Sequence, residues 1–269
     1  MPGRLRGVSR RVRGYWSVVA RATGYAPLVA LWRTPPRKTF IIFGQDRSGS
    51  TLLTQLLSCS PEIRCDNEIL TQRVLWPYLY VRARSLRHPG KVYGYKLRLH
   101  ELTSRHRIDP KEFLRRHREQ DGKIIYLRRQ NIVRQAISSL IAMETGLWRS
   151  DRRAYEARRK QRFHIDCDAL LQNMKWRETM LAQERQVLEE IPHLPIVYEQ
   201  DLLDARRHQV TLDRVFDFLG VARVAVRAGL MRVSPDRLAD IVENVDEVLK
   251  TLAETPYASQ LSPELAEAT

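Results

Sequence analysis

Thr39-Phe40-Ile41-Ile42-Phe43-Gly44-Gln45-Asp46-Arg47-Ser48-Gly49-Ser50-Thr51-Leu52-Leu53-Thr54-Gln55-Leu56-Leu57 is the stretch on which the fold turns. Its first residues form a short apolar run rich in isoleucine and phenylalanine, the pattern of a strand covered on both faces. Its last residues place Leu52, Leu53, Leu56 and Leu57 at helical spacing. Between them, Gly44 to Thr51 fits the frame G-x-x-x-x-G-x-[ST]. Strand, glycine turn and helix in that order aim successive backbone N–H groups and the positive end of a helix at one anion, so the frame predicts a phosphate-binding turn.

The frame departs from the usual nucleoside triphosphate turn in one respect: Ser50 stands where a lysine is expected. A triphosphate enzyme of that kind also needs an acidic residue at the end of a neighbouring strand. The strand predicted at Lys123-Ile124-Ile125-Tyr126-Leu127 instead runs into Arg128 and Arg129. Both departures point to an anion site whose cations are side chains. Arg47, inside the turn, is a candidate for that charge because a guanidinium grips two oxygens at once. Ser48, Ser50 and Thr51 add hydroxyl donors.

Further strands are predicted at Lys91–Leu97 and Leu194–Tyr198, and helices over Asn131–Met143, Asp166–Glu190 and Val210–Leu219, the last closed by Gly220. Strands separated by helices of this length predict an α/β fold: a P-loop-like, three-layer α/β/α arrangement around a central parallel sheet. Pro35-Pro36 marks a boundary, which divides the chain into a basic N-terminal tail (1–38) and one catalytic domain (39–269).

The 269 residues carry a net charge of +15, which calls for an anionic partner but does not choose among nucleic acid, lipid surface and phosphorylated small molecule. Nine of the basic residues (Arg4, Arg6, Arg10, Arg11, Arg13, Arg21, Arg33, Arg37 and Lys38) precede residue 40 with no acidic residue among them. Most of the excess therefore belongs to the tail. Its apolar part, from Trp16 to Trp32, is broken by Arg21 and Pro27 and falls short of a membrane span. An amphipathic helix in peripheral contact with an anionic membrane and a plain helix on the domain's flank are the two readings of it. Three scattered cysteines, Cys59, Cys65 and Cys167, make neither a disulfide framework nor a zinc site, and a reduced, cytoplasmic setting is expected. The charge run Ser150–Arg162 reads as a solvated helix face, with a lid or acceptor surface as the alternative.

Residues 40–261 resemble the PAPS-dependent sulfotransferases (PAPS being 3'-phosphoadenosine 5'-phosphosulfate), in particular the bacterial carbohydrate type that includes nodulation-factor and trehalose sulfotransferases. Arg47-Ser48-Gly49-Ser50-Thr51-Leu52 resembles the family's 5'-phosphosulfate loop, and Tyr126-Leu127-Arg128-Arg129 through Ser138 its strand and helix for the 3'-phosphate. Asn67-Glu68-Ile69-Leu70 resembles an acidic motif after the first helix, and Gly94-Tyr95-Lys96-Leu97 a strand of the carbohydrate branch. Tyr198-Glu199-Gln200-Asp201-Leu202, Phe218-Leu219-Gly220, Asn244-Val245-Asp246-Glu247 and Leu252–Leu261 resemble downstream signatures.

The resemblance implies transfer of a sulfuryl group from PAPS to a hydroxyl of a carbohydrate or glycolipid, without a metal and without nucleic acid as partner. It implies Arg47 as the charge stabiliser and Glu68 as the general base. It places the donor on Arg47, Ser48, Gly49, Ser50, Thr51 and Leu52, with Arg129 and Ser138 at the 3'-phosphate and Tyr198 near adenine. The interval from Arg129 to Ser138 is nine residues, one longer than in most members, which leaves Arg128 and Arg134 as alternatives for the 3'-phosphate. Lys96 and Arg232 lie in segments the family often makes basic and carry no assigned role. Trp76, Tyr78, Tyr80 and Trp148 are candidates for stacking on a sugar ring. A P-loop nucleotide kinase-like enzyme and a basic nucleic-acid or membrane binder are the competing readings.

Overall fold

The computed structural model describes residues 38–146, 161–227 and 237–261. The basic tail up to residue 37, Trp148, the charge run through residue 160 and Arg232 lie outside these.

Five parallel strands form one sheet: β1 (Thr39–Phe43), β2 (Ile63–Glu68), β3 (Val92–Leu97), β4 (Lys123–Arg128) and β5 (Leu194–Val197), in the order β2-β3-β1-β4-β5. The principal helices are α1 (Ser50–Leu57), α2 (Pro77–Leu86), α3 (Pro110–Glu119), α4 (Ile132–Thr145), α5 (Cys167–Leu188), α6 (His208–Leu219) and α7 (Val245–Ala253). Because successive side chains of a strand point to opposite faces, the central strands divide their apolar residues between two cores. Ile41, Phe43, Tyr95, Ile124 and Tyr126 join α3 and the end of α5 on one face. Phe40, Ile42, Ile125, Leu127 and Ile196 join α1 and α6 on the other. A third cluster packs α4 against Phe163, the first half of α5 and α7. The fold is thus the α/β/α arrangement that the apolar runs predict.

Strand β2 is the element that periodicity does not announce. Ile-Arg-Cys-Asp-Asn-Glu is polar because it is an edge strand, bonded to β3 alone, and edge strands are commonly charged. Its buried Asp66 accepts from Tyr93 Oη at 3.0 Å and pairs with Arg84 and with Arg64 at 3.2 Å. Those partners hold the Asp66 carboxyl below its ordinary pKa despite the opposing effect of burial. Glu68, in the acidic motif expected after the first helix, is the last residue of β2.

Local capping sets the helix ends. Asp109, Asn131 and Asp166 accept from the amides of Lys111, Arg134 and Ala169 at the starts of α3, α4 and α5. Glycines in left-handed backbone, Gly146 and Gly220, end α4 and α6. No helix among the described residues is long and apolar enough to cross a membrane.

Candidate anion site at the strand ends

Ligands of open parallel sheets bind at the carboxyl ends of the strands, and here the ends of β1, β3 and β4 are neighbours. After β1 the chain turns through Gly44 to Gly49 into α1. A Cβ on Gly44 would lie 2.0 Å from the Leu127 carbonyl oxygen, so only glycine lets the turn leave β1 this close to β4. At Gly49, φ is +94° and a Cβ would meet the Tyr198 ring at 2.5 Å. Arg47 adopts left-handed backbone at φ +60° without being glycine, a strained state that persists only where its surroundings enforce it.

Those surroundings are specific. Arg47 Nε donates to Ser138 Oγ on α4 at 2.9 Å. Arg129 Nη1, just beyond β4, donates to the Arg47 carbonyl at 3.3 Å. Gln135 Nε2 donates to the Asp46 carbonyl at 2.8 Å, and the buried Ser48 hydroxyl closes the turn on the Gln45 carbonyl at 2.7 Å. Tyr198 lies against Gly49 and under the Arg129 guanidinium, 4.9 Å from its ring centroid. The turn thus gathers Arg47, Arg129, Ser138 and Tyr198, residues that the sequence names separately.

Two helices begin at this site, and only one offers its N-terminus. At α4 the Ile132 and Val133 amides donate to Gln260 Oε1 at 2.7 and 3.4 Å, while Arg134 donates to Asn131 Oδ1 at 2.8 Å. Glu199 accepts from the Gln130 and Asn131 amides at 2.8 and 3.0 Å. At α1 the N-cap is Gly49, which has no side chain to cap with. The first-turn amides of Ser50, Thr51 and Leu52 are therefore arranged for an external anion.

Lys96 supplies what position 50 lacks. It is buried at 4% exposure in β3, and its Nζ donates to Thr51 Oγ1 at 3.2 Å. The sequence marks this position as basic without giving it a role; only the β1–β3 pairing brings its ammonium to the turn. Glu68 pairs with Lys96 across a register shift between β2 and β3. It lines one cleft with Lys96, Ser48, Ser50, Asp46 and Arg98. Arg98 is pulled above its usual pKa, since Glu101 with help from Glu68 and Asp46 outweighs its burial. Arg129 is pushed the other way: burial lowers it, and Tyr198 and Glu199 only partly compensate. Its Nε is buried without a hydrogen-bond partner, 3.6 Å from Glu199 Oε1.

Other candidates fall elsewhere. Tyr78 stacks on Phe113 at 4.6 Å beneath Arg116, and Tyr80 packs on the same core. Trp76 is 50% exposed at the start of α2. Arg128 lines a cleft with Arg129 and the α5 residues Arg177 and Glu184, which no motif of the sequence had marked. Among the described residues no group of His, Cys, Asp and Glu is arranged to hold a metal ion.

No family model matches the chain, and no curated protein is similar to it in sequence. Among solved structures it is similar to a sulfotransferase from Alicyclobacillus acidocaldarius, at 19% identity over 85% of this chain and 96% of that one, with a TM-score of 0.49. It is also similar to a sulfotransferase from Mycobacterium avium, at 11% identity over 88% of this chain and 80% of that one, with a TM-score of 0.47.

Proposed function

We propose that the protein is a sulfotransferase that takes its sulfuryl group from PAPS and places it on a hydroxyl, of a carbohydrate or glycolipid by the resemblance of residues 40–261. The observation that carries the reading is the convergence of Arg47, Lys96 and Arg129, from three separate segments, on a lysine-free glycine turn at an uncapped helix start. The residues present suit a nucleotide with separate 5' and 3' anions. The turn and the first amides of α1 face one anion, and Arg129, with a buried Nε lacking a hydrogen-bond partner, is suited to the other.

The donor supplies an activated sulfuryl group whose bond to the 5'-phosphate breaks as the acceptor oxygen bonds to sulfur, giving a sulfate ester and adenosine 3',5'-bisphosphate. Glu68 takes the proton of the acceptor hydroxyl. Arg47, Lys96 and the amides of the turn stabilise the charge left on the phosphate. Ser138 and Arg129 hold Arg47, and Tyr198 holds Gly49, so the donors stand in place before the reaction begins.

Calorimetric titration with adenosine 3',5'-bisphosphate, against ATP with magnesium as control, tests the reading. Binding of the bisphosphate in preference to ATP is expected. Tight binding of ATP with magnesium and indifference to the bisphosphate would overturn it and favour a kinase-like nucleotide enzyme.

A further inference from the structure

A second set of side chains reaches the turn from α5. Arg177 is 1% exposed. Its Nη1 lies 3.3 Å from Gln45 Oε1, 3.3 Å from the Asp46 carbonyl and 3.5 Å from Asp46 Oδ1. Its Nε donates to Asn173 Oδ1 at 2.8 Å, and Gln45 Nε2 donates back to the Arg177 carbonyl at 3.0 Å. Two turns further along α5, Glu184 is also 1% exposed. It accepts from Tyr126 Oη at 3.2 Å, and it lines two clefts together with Gln45, whose amide acts on its carboxyl. A fully buried guanidinium and a fully buried carboxyl on one helix cost stability unless something else requires them. Both meet at Gln45, the residue that opens the strained segment.

We infer that Arg177 and Glu184 are positioning residues for the anion turn. They clamp Gln45 and Asp46 from α5 while Gln135 holds Asp46 from α4, and together these fix the left-handed backbone at Arg47 that lets its guanidinium reach Ser138. The ionised carboxylate of Glu184 is the clamping form. With two accepting oxygens it takes a hydrogen from Tyr126 and one from Gln45, which leaves Gln45 Oε1 for Arg177. A protonated Glu184 carries its own donor, which competes with Arg177 for that oxygen and loosens the turn.

Burial pushes the Glu184 carboxyl up to about 7, and the hydrogen bonds from Tyr126 and Gln45 and the charge of Arg177 only partly offset it. The other groups around it come from every neighbouring element. Arg128 ends β4 and Arg129 follows it, Gln135 lies on α4, Asp46 lies in the turn, and Arg98 and His100 follow β3. Arg185 acts on Tyr126, and His193 stands edge-on to the Tyr126 ring at 5.7 Å. Burial and Arg98 hold His100 below its ordinary value.

The clamp is tested on the whole protein by following the backbone amide resonances of Gln45, Asp46 and Gly49 from pH 5.5 to 8.5. A transition near pH 7 is expected in the wild type. It is lost in the near-isosteric Glu184→Gln, and it moves to higher pH in Tyr126→Phe, which removes a hydrogen bond to the carboxylate. The ratio of wild-type to Glu184→Gln affinity for adenosine 3',5'-bisphosphate should rise from near one at pH 6 to about fivefold at pH 8, about 1 kcal/mol. The ligand's own phosphate titration cancels in that ratio. A transition that survives in Glu184→Gln, the lack of any transition in the wild type, or a ratio that stays flat or falls overturns the inference. The bisphosphate arm rests on the sulfotransferase reading and the amide arm does not. If the wild type binds no bisphosphate at any pH, that reading fails and the amides alone decide the clamp.

Discussion

Arg47 and Ser138, separated by 91 positions in sequence, are joined by a hydrogen bond of 2.9 Å from the guanidinium Nε to the hydroxyl. A side chain of α4 thereby helps to orient the one cation that lies within the glycine turn. Ser138→Ala leaves the Arg47 backbone intact and removes this bond from its guanidinium. Affinity for adenosine 3',5'-bisphosphate is expected to fall about tenfold or more, the worth of one hydrogen bond to a charged group, with little change in melting temperature. An unchanged dissociation constant in a calorimeter would show that the bond does not serve the ligand.

Gly49 and Tyr198 are matched in shape. Gly49→Ala drives a Cβ to within 2.5 Å of the Tyr198 ring at a backbone φ of +94°. It should cost about 1–3 kcal/mol of stability through clash and strain together. In the double variant Gly49→Ala/Tyr198→Ala the clash is relieved while the strain remains, so the two losses should be less than additive. Chemical denaturation of the four proteins in this cycle measures the coupling, and strict additivity would contradict the contact.

Lys96 is buried for its charge. Lys96→Met keeps the length of the side chain and removes the ammonium that reaches Thr51. Bisphosphate affinity should fall at least about tenfold. Stability should change by no more than about 1–2 kcal/mol, because relief from desolvating a buried charge offsets the contacts that are lost. A variant that melts lower and binds normally would assign Lys96 to structure instead.

Glu68→Gln separates chemistry from binding. Turnover with PAPS should drop on the order of a hundredfold or more, the usual contribution of a general base. The dissociation constant for the bisphosphate should stay within about twofold. Near wild-type turnover would remove Glu68 from the mechanism.

The pH dependence of stability has a marker in His117. On α3 it is buried beside Arg118 with its Nε2 3.1 Å from the Lys123 carbonyl, and burial above all pushes its pKa down to about 4. A histidine lowered on folding is neutral in the native state and protonated in the unfolded one between those values. Its contribution is therefore present above about pH 6.5 and lost as pH falls toward 4, on the order of 3 kcal/mol in all. Urea unfolding at pH 7, 5.5 and 4 should show this slope in the wild type and a shallower one in His117→Gln. Equal slopes would contradict it.

The chain's own letters determined the strand-turn-helix unit at Thr39–Leu57, the parallel α/β class and the basic end of β4, because apolar period, a glycine frame and a helix stop such as Gly220 act over a few neighbouring residues. Strand β2 escaped such reading because an edge strand has one bonded neighbour and can be polar, as Ile63–Glu68 is.

The site was only partly legible. Arg47, Arg129, Ser138, Tyr198 and Glu68 could be named from motifs, but that Arg47 rests on Ser138 and Tyr198 on Gly49 follows from which elements become neighbours. Lys96 faces the turn because β3 pairs with β1 in one register. Arg177 and Glu184 sit in a helix crowded with charges, where two buried ones look no different from the solvated rest. Which side of a helix meets the sheet depends on surfaces far away in sequence, and burial, which sets the cost and the pKa of each ionisable group, exists only once those surfaces have met.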